Sequence, residues 1–287
     1  MILLSHPTGN EFVRAALEAF DRAGVLGEFW TTISWNPAAP INRLFPRSAR
    51  QLFGRRSFSE SVRSRTHTVP FREVARLIAG AAGSSPRHET GTFSIDAVMR
   101  ELDQKVAARL RKIDNCRAVY AYEDGACLSF RVARELSLKR IYDLPIGYWK
   151  VGQLIFAEEK EREPEWSPTL TGTLDSVEKL ARKDEELRLA TSVIVASTFT
   201  KRTLADAPCA AKIDIVPYGA PPSISSEIVK SSGRLKVLFA GSLGQRKGLS
   251  YLLKAVEILK NSVDLTLLGR KAASGCPPLE RAVRRYR

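Results

Sequence analysis

The sequence predicts an α/β fold built on parallel β-sheet, with one complete domain and one incomplete domain. Short apolar runs alternate along the chain with segments of helical periodicity, a pattern typical of a parallel sheet covered by helices on both faces. The hydrophobic share of 44% and the charged share of 26% among 287 residues are those of an ordinary globular protein. At about 100–200 residues per domain, this length predicts two domains.

The first strand–helix unit opens the chain. An apolar run at residues 2–5 precedes turn residues, and apolar side chains then recur at helical spacing from Phe12 to Phe20. β-branched and aromatic residues predict a second strand at 29–34. From 36 to about 69 the periodicity is lost in a stretch rich in arginine and serine, so no regular element is predicted there.

Order returns at Ser94, whose hydroxyl is expected to cap a helix with an apolar stripe that extends to Leu110. The rest of the first domain continues the alternation of strands and helices. Strands are predicted at 118–122, 139–144, 192–196 and 212–216, and helices at 126–136, 153–163, 173–190 and 198–205.

A segment rich in Pro, Gly and Ser at 217–233 has the composition of a linker. We therefore predict an N-terminal Rossmann-like domain at 1–217, a linker at 218–233 and a partial C-terminal domain at 234–287. The last part contains a strand at 235–240, a helix at 249–259 and a strand at 265–268. A doubly wound domain needs about five or six strands, so we expect the chain to be truncated.

The formal net charge of +14 is unevenly distributed, with nine arginines and two glutamates between Arg43 and Arg76. Such a surplus attracts polyanions. Because this stretch mixes arginine with phenylalanine but forms no clean helical stripe, three interpretations stay open: a solvated insertion loop, contact with an anionic membrane, and nucleic-acid binding. Membrane contact is favoured over nucleic acid, which is an unlikely partner.

Metal and redox chemistry have little support in the sequence. Four cysteines lie far apart without a CxxC pair, and three histidines are present, so we expect no metal site and no cofactor. The cysteine usage suits a reducing cytoplasm. No apolar run approaches the ~20 residues of a spanning helix, so the expected location is cytoplasmic, with peripheral contact at the inner membrane face as an option.

The segment from Val237 to Val256 is the most informative. A predicted strand ends at Gly241, and a glycine-containing loop leads to Arg246 and Lys247 at the start of a helix. Helix N-termini and cations suit phosphate, and glycine permits close backbone approach. The alternative is that the glycines merely serve a sharp turn and the two cations are solvated.

Three segments in this order resemble glycosyltransferase family 4. They are L-A-T-S-V-I-V-A-S-T-F-T-K-R-T-L at 189–204, K-I-D-I-V-P-Y-G-A at 212–220 and V-L-F-A-G-S-L-G-Q-R-K-G-L-S-Y-L-L-K-A-V at 237–256. The clear resemblance covers roughly 185–269. It implies the GT-B fold of two Rossmann-like domains. It also implies transfer of a sugar, with retention at the anomeric carbon, from a nucleotide-sugar donor to a saccharide or lipid-linked glycan in glycan biosynthesis.

The resemblance also assigns donor-binding residues. Lys247 matches the lysine that contacts the donor diphosphate, beside Gly241 at the end of the strand. Ser242 stands where the family often has an arginine, and Arg246 is the candidate substitute. Gly9 falls where the family has a glycine loop that faces the donor phosphates.

Acceptor-side residues are less well matched. The family's histidine after the fourth strand is absent here, which leaves Asp143 as the candidate catalytic residue, with a turn or cap role as the alternative. His6 is expected to be structural, with a ligand or catalytic role as the alternative, and Glu186 is expected to face solvent. Trp35, Trp149 and Trp166 are either sugar-stacking platforms or residues of the core or a domain edge, which is the commoner role of tryptophan.

A rival from another functional class is a truncated, non-catalytic chain that binds phosphates, anionic lipid or nucleic acid through its basic surface. Continuation of the reading frame into the family's E-x7-E region would favour the enzyme.

Limited proteolysis tests the predicted boundary. We expect preferential cleavage within 221–233, because the linker composition offers an accessible backbone, and a resistant N-terminal fragment. Mass spectrometry of the fragments locates the cut. Preferential cleavage within the strand at 192–196 would contradict the predicted division.

Overall fold

The computed structural model describes residues 1–40, 42, 45–83, 88–172, 174–220, 223 and 233–286. The predicted linker therefore lies largely outside the described residues. The chain divides into a first unit, Met1–Tyr148 with Ser176–Ala220, and a second unit, Trp149–Asp175 with Pro221–Arg287. The second unit thus includes residues 149–175, which the predicted boundaries place in the N-terminal domain.

The first unit contains a seven-stranded parallel sheet in the order β3-β2-β1-β4-β5-β6-β7. This arrangement confirms the predicted α/β, Rossmann-like fold class. The strands are β1 Ile2–Ser5, β2 Leu26–Thr31, β3 Thr66–Thr68, β4 Ala118–Tyr122, β5 Lys139–Leu144, β6 Ser192–Val195 and β7 Lys212–Ile215. The helices are α1 Glu11–Arg22, α2 Arg47–Gly54, α3 Glu60–Arg63, α4 Phe71–Ala81, α5 Ile95–Leu110, α6 Cys127–Glu135, α8 Val177–Leu189 and α9 Thr198–Thr203.

The strand order reverses between β1 and β4, since the chain builds outward from β1 to β3 and then returns to the other side of β1. In open parallel sheets, ligands bind at such a switch point, outside the carboxyl ends of the strands. The loops that follow β1 and β4 are therefore the parts of this unit to examine for function.

Side-chain caps set several helix starts that the sequence predicts. The Ser94 hydroxyl accepts a hydrogen bond from Ala97 N at 3.1 Å, which confirms the predicted cap of α5. Asn10 caps α1 in the same way, with Val13 N as the donor at 3.0 Å. Because Ser176 caps α8, that helix starts at Val177 and not at the predicted 173.

The predicted irregular stretch at 36–69 contains two helices and a short strand, α2, α3 and β3. Their order comes from tertiary contacts and not from periodicity. Phe58 and Val62 are buried in the core under α1 and β2, where they pack with Leu17 and Phe29. The second strand also begins earlier than predicted and ends at Thr31, because Thr32 N turns away to donate to Pro7 O at 3.2 Å.

The second unit has two parallel strands, β8 Leu235–Ala240 and β9 Val263–Leu268. Its helices are α7 Trp149–Arg162, α10 Leu249–Leu259 and α11 Pro277–Arg285, with a 3-10 turn at Pro164–Thr169. Trp166, Leu243, Leu249, Cys276 and Leu279 form its buried core. α11 occupies the segment where the sequence shows only a basic C-terminal stretch.

Glu186 is fully buried in α8, so the expectation that it faces solvent is wrong. Its carboxylate accepts hydrogen bonds from Ala126 N and Asp124 N, both at 3.0 Å, and from the Tyr142 hydroxyl at 2.9 Å. Burial raises the pKa of Glu186 to about 8, and the nearby carboxylate of Asp124 adds to that shift. This buried carboxylate ties α8 to the turn after β4.

The raised pKa of Glu186 makes stability depend on pH. The folded state holds this proton up to about pH 8, whereas the unfolded chain releases it near 4.5. The stabilisation is therefore complete below about pH 4.5 and is lost as the pH rises towards 8. We expect Glu186→Gln to remove this dependence. At about pH 5 it should also lower the free energy of unfolding by about 1–3 kcal/mol, because an amide nitrogen then faces a backbone N–H.

Urea unfolding at about pH 5 and about pH 8 measures both effects. Glu185→Gln is the matched control, because Glu185 pairs with Arg131 near the surface. An unchanged pH dependence in Glu186→Gln would show that other groups cause it.

Candidate functional site

Two strand ends meet through their main chains in the second unit. A Cβ added to Gly269 would lie 1.6 Å from the carbonyl oxygen of Gly241, so no side chain fits at that position. Gly241 has φ +148° and donates its N–H to Leu268 O at 2.9 Å. The carboxyl edge of this two-stranded sheet therefore presents backbone without side chains, as a closely approaching ligand requires.

The loop that follows β8 is held in place by buried contacts. Leu243 is buried, and its N–H donates to Arg270 O at 2.8 Å, which joins this loop to the one after β9. Gln245 is also buried, and its side-chain amide oxygen Oε1 accepts a hydrogen bond from Ser250 N, in the first turn of α10, at 2.9 Å. Gly248 precedes that helix and has φ +69°, a left-handed conformation that glycine adopts without steric cost. The loop is therefore a fixed element of this unit.

Four polar residues stand exposed on these two loops: Ser242, Arg246, Lys247 and Arg270. We call them the cationic edge. Within the described part of the chain, none of the three cations has a carboxylate partner. By contrast, the neighbouring Lys271 pairs with Glu280 at 2.6 Å. Three unpaired cations beside bare backbone can bind a multiply charged phosphate.

Arg270 is the member of the cationic edge that sequence reasoning missed. The sequence signal was its position two residues after Leu268, the last residue of β9, with Gly269 between them. Leu243 and Lys271 form a bridge between the two loops, which brings Arg270 next to Ser242. Ser242 is where the resemblance leads one to expect an arginine, so Arg270 is a second candidate for that charge, beside Arg246.

In the first unit, His6 lies in the loop after β1, at the switch point. Its Nδ1 accepts hydrogen bonds from Gly9 N at 2.8 Å and from Thr8 N at 3.1 Å, and its ring meets the edge of Tyr122 at 4.7 Å between centroids. Burial lowers the pKa of His6 to about 4, so the ring is neutral near pH 7. With Nδ1 occupied as an acceptor, we assign the proton to Nε2, where His6 can donate a hydrogen bond.

The structure explains the glycine at position 9 by packing. Gly9 is buried with φ +57°, and an added Cβ would lie 2.5 Å from two ring carbons of Phe58. Its N–H is already donated to His6. The contact of Gly9 with a donor phosphate stays a prediction. The N–H of Gly9 is not free for such a contact, because it is donated to His6.

Asp143 lies on β5, directly beside Tyr122 of β4 in the sheet register. The Tyr120 hydroxyl donates to its carboxylate at 2.7 Å. The Tyr122 hydroxyl is buried near the same carboxylate but does not reach hydrogen-bond geometry. Burial raises the pKa of Asp143, and the two tyrosine hydroxyls partly oppose that rise. Asp143 and His6 thus contact the two tyrosines of β4, Asp143 at Tyr120 and His6 at Tyr122.

The N-terminus of α6, on the same edge, already has its own hydrogen-bond acceptors. Asp103 accepts from Leu128 N at 2.7 Å and from Ser129 N at 2.9 Å, and Glu186 accepts from the two preceding turn amides. These carboxylates occupy the donors that an incoming phosphate would need. The first unit is therefore poorly suited to hold a diphosphate at α6, whereas the three cations of the cationic edge have no carboxylate partner among the described residues.

The arginine-rich stretch is largely internal in its contacts. Phe53 stacks on Trp35 at 5.4 Å and Phe58 packs on Phe29, so these phenylalanines are not free to enter a lipid surface. Arg56 and Arg76 both bind the buried Glu73, at 2.5 and 2.8 Å. Arg47 and Arg50 of α2 remain exposed. Peripheral membrane contact stays a prediction, which rests on exposed arginines and on Phe71, a phenylalanine of this stretch that is 69% exposed. Arg43 lies outside the described residues.

Among the described residues, no helix is long and apolar enough to cross a membrane.

The chain matches no known family model and no curated protein by sequence. Among solved structures, it resembles the N-terminal domain of the Candida albicans trehalose-6-phosphate phosphatase. The TM-score is 0.51 and the identity 10%, over 99% of this chain and 67% of that chain. At this identity, the similarity concerns the fold alone.

Two plant structures are also similar. UGT89C1 of Arabidopsis thaliana, complexed with UDP-L-rhamnose, has a TM-score of 0.45 and 14% identity over 93% of this chain. A UDP-glucosyltransferase of Polygonum tinctorium has a TM-score of 0.44 and 15% identity over 93% of this chain. The chain spans 64% of the length of the first and 70% of the second.

A proton titration tests the assignment for His6. We expect the His6 ring resonances to titrate with a midpoint near pH 4, because burial opposes the charged form. Two-dimensional NMR of ring-labelled histidine follows the titration, and His6→Gln identifies the signal. A midpoint above about 6 would mean that this ring is solvated or faces an unrecognised anion.

Proposed function

We propose that this chain acts as a glycosyltransferase that moves a sugar from a nucleotide-sugar donor to an acceptor, a saccharide or a lipid-linked glycan. The observation that carries the proposal is the cationic edge of the second unit. There, Arg246, Lys247 and Arg270 have no carboxylate partner among the residues that the structure describes, and they lie beside a backbone that two glycines keep open.

Such an edge matches the charge of the leaving group. When the glycosidic bond of a nucleotide sugar breaks, negative charge develops on the departing diphosphate, and fixed cations lower the free energy of that state. Lys247 supplies a point charge, and the two arginines supply planar groups that can each contact two phosphate oxygens. The edge provides this stabilisation from the chain's own residues.

The resemblance to glycosyltransferase family 4 supports the same reaction, because its three motifs occur in family order. Retention at the anomeric carbon rests on that resemblance. The parallel sheet of the first unit supports an acceptor or nucleotide role, since its strand order reverses between β1 and β4 and ligands bind at such a point in open parallel sheets.

On the acceptor side, we assign a proton-accepting role to Asp143. Its raised pKa makes it a better base than an exposed carboxylate, and Tyr120 fixes its orientation. The neutral His6 is suited to donate a hydrogen bond from Nε2 to a substrate oxygen. It is not set up to accept a proton, because its Nδ1 is already occupied by two backbone amides.

The rival function is non-catalytic binding of polyanions through the basic surface. The two differ in what they recognise. A donor site prefers a nucleoside diphosphate to other phosphates, whereas a basic surface binds anions according to their charge and loses them as salt screens the interaction.

Lys247→Ala tests the donor site. A charge-assisted hydrogen bond of this kind contributes roughly 1.5–3 kcal/mol, so we expect UDP to bind about 10- to 200-fold more weakly. Lys247→Arg should recover part of the affinity, because a guanidinium differs from an ammonium in shape. Isothermal titration calorimetry with UDP and with pyrophosphate measures both. Lys236→Ala is the control, because Lys236 is an exposed cation of β8 away from this edge.

Two results would count against the proposal. UDP affinity of Lys247→Ala within twofold of wild type would make the loop only a structural turn. Equal binding of UDP, pyrophosphate and heparin by the wild type, with equal losses in Lys236→Ala and Lys247→Ala, would favour the polyanion-binding alternative. Arg246→Ala and Arg270→Ala, measured alongside, show which arginine shares the diphosphate with Lys247.

A further inference from the structure

A cavity of about 460 Å³ lies in the first unit between the loop after β2 and helix α2. We call it the Trp35 pocket. Its lining residues are Trp35, Pro37, Ala38, Ala39, Pro40, Asn42, Arg50 and Gly54. The volume falls in the range of small-molecule sites, and the composition, apolar walls with two polar side chains, is typical of such sites.

The walls of the pocket are fixed by contacts behind them. The indole of Trp35 stacks on Phe53 with ring centroids 5.4 Å apart and 18° between the planes, and Phe45 meets its edge. Trp35 N donates to Arg56 O at 2.9 Å. The buried Asn42 donates to Asn36 O at 2.6 Å and to Pro37 O at 3.0 Å, which holds the turn of prolines and alanines in place. An aromatic face that is supported in this way can receive a ring without rearrangement.

Arg50 gives the pocket an unbalanced positive charge. Its side chain is exposed and has no carboxylate partner among the described residues, and no acidic residue lines the pocket. Nearby arginines behave differently, since Arg56 and Arg76 share the buried Glu73. An unpaired guanidinium beside an aromatic wall favours a ligand that carries both a flat apolar face and a negative charge.

The pocket belongs to the same sheet edge as the loop that contains His6. Trp35 follows the carboxyl end of β2, the neighbour of β1. Thr32 N donates to Pro7 O at 3.2 Å. Phe58, within the arginine-rich stretch, packs against Gly9. The pocket is therefore anchored to the turn between β1 and α1, where parallel sheets bind their ligands.

We propose that the Trp35 pocket binds a sugar ring that carries a phosphate or a carboxylate. The C–H face of the ring stacks on Trp35, and Arg50 binds the anionic group through paired hydrogen bonds. If the proposed transferase function holds, the pocket is part of the acceptor site and the acceptor is an anionic sugar. Binding itself does not depend on that function.

Ligand-observed NMR and calorimetry with three probes test the proposal: glucose 6-phosphate, glucuronate and glucose. We expect both anionic sugars to bind at least tenfold more tightly than glucose. Arg50→Gln should weaken the anionic sugars about tenfold or more and leave glucose unchanged, because it removes a charge-assisted bond and no wall. Arg47→Gln is the matched control, since Arg47 is an exposed arginine on the same helix that does not line the pocket.

Trp35→Phe separates the stacking contribution from the charge. It should weaken the charged and the neutral sugars by a similar factor, and thermal unfolding verifies that the variant folds. Equal losses in Arg47→Gln and Arg50→Gln would overturn the proposal in favour of a diffuse basic field. Inorganic phosphate that binds as tightly as glucose 6-phosphate would overturn it as well, because the ring would then contribute nothing.

The outcome is distinguishable from failure of the donor site. Arg50→Gln should leave UDP affinity unchanged, and Lys247→Ala should leave the affinity for glucose 6-phosphate unchanged. Sugar binding without UDP binding would keep the pocket and reject the transferase. UDP binding without sugar binding would do the reverse.

Discussion

The turn after β4 depends on one buried carboxylate. Glu186 accepts hydrogen bonds from two backbone amides of that turn and from the Tyr142 hydroxyl. A single side chain of α8 therefore joins α6, β4 and β5. Asp124 adopts φ +72° in the same turn, a left-handed conformation that costs a non-glycine residue free energy and that the bond from Glu186 to its N–H offsets. The turn directly follows Tyr122, so its order also supports the ring contact between Tyr122 and His6.

Paired and unpaired charged groups have different roles in this chain, because paired groups stabilise the fold and unpaired cations are available to bind a ligand. Asp103 and Glu186 accept hydrogen bonds from helix and turn amides inside the first unit, and Glu73 pairs with two arginines of the arginine-rich stretch. The net charge of +14 is therefore less informative than the positions of the cations that have no carboxylate partner among the described residues. Among the described cations without a carboxylate partner, Arg50 lines a cavity and the three of the cationic edge stand beside bare backbone.

Local signals in the sequence were sufficient for many strands and helices, but not for the elements that are ordered by distant contacts. The strand at 118–122 and the cap at Ser94 were predictable, because apolar runs and capping side chains act within a few residues. The elements between 36 and 69 were not, because Phe58 and Val62 take their order from a distant core. Glu186 looked like one of several charged residues on a helix, since nothing in its neighbourhood shows that Ala126 and Tyr142 surround it. Arg270 was overlooked for a similar reason, because its neighbour Ser242 lies 28 positions earlier in the chain.

The contact between Gly241 and Gly269 has a consequence for how binding at this edge can diversify. Because the two strand ends touch through main-chain atoms, the backbone floor of the edge keeps its shape as long as both glycines remain. Substitutions at Ser242, Arg246 or Arg270 alter the charges around that floor without moving it. Ligand preference and strand geometry are thus separable here, so related chains can acquire different anion specificities by single substitutions while the sheet stays the same.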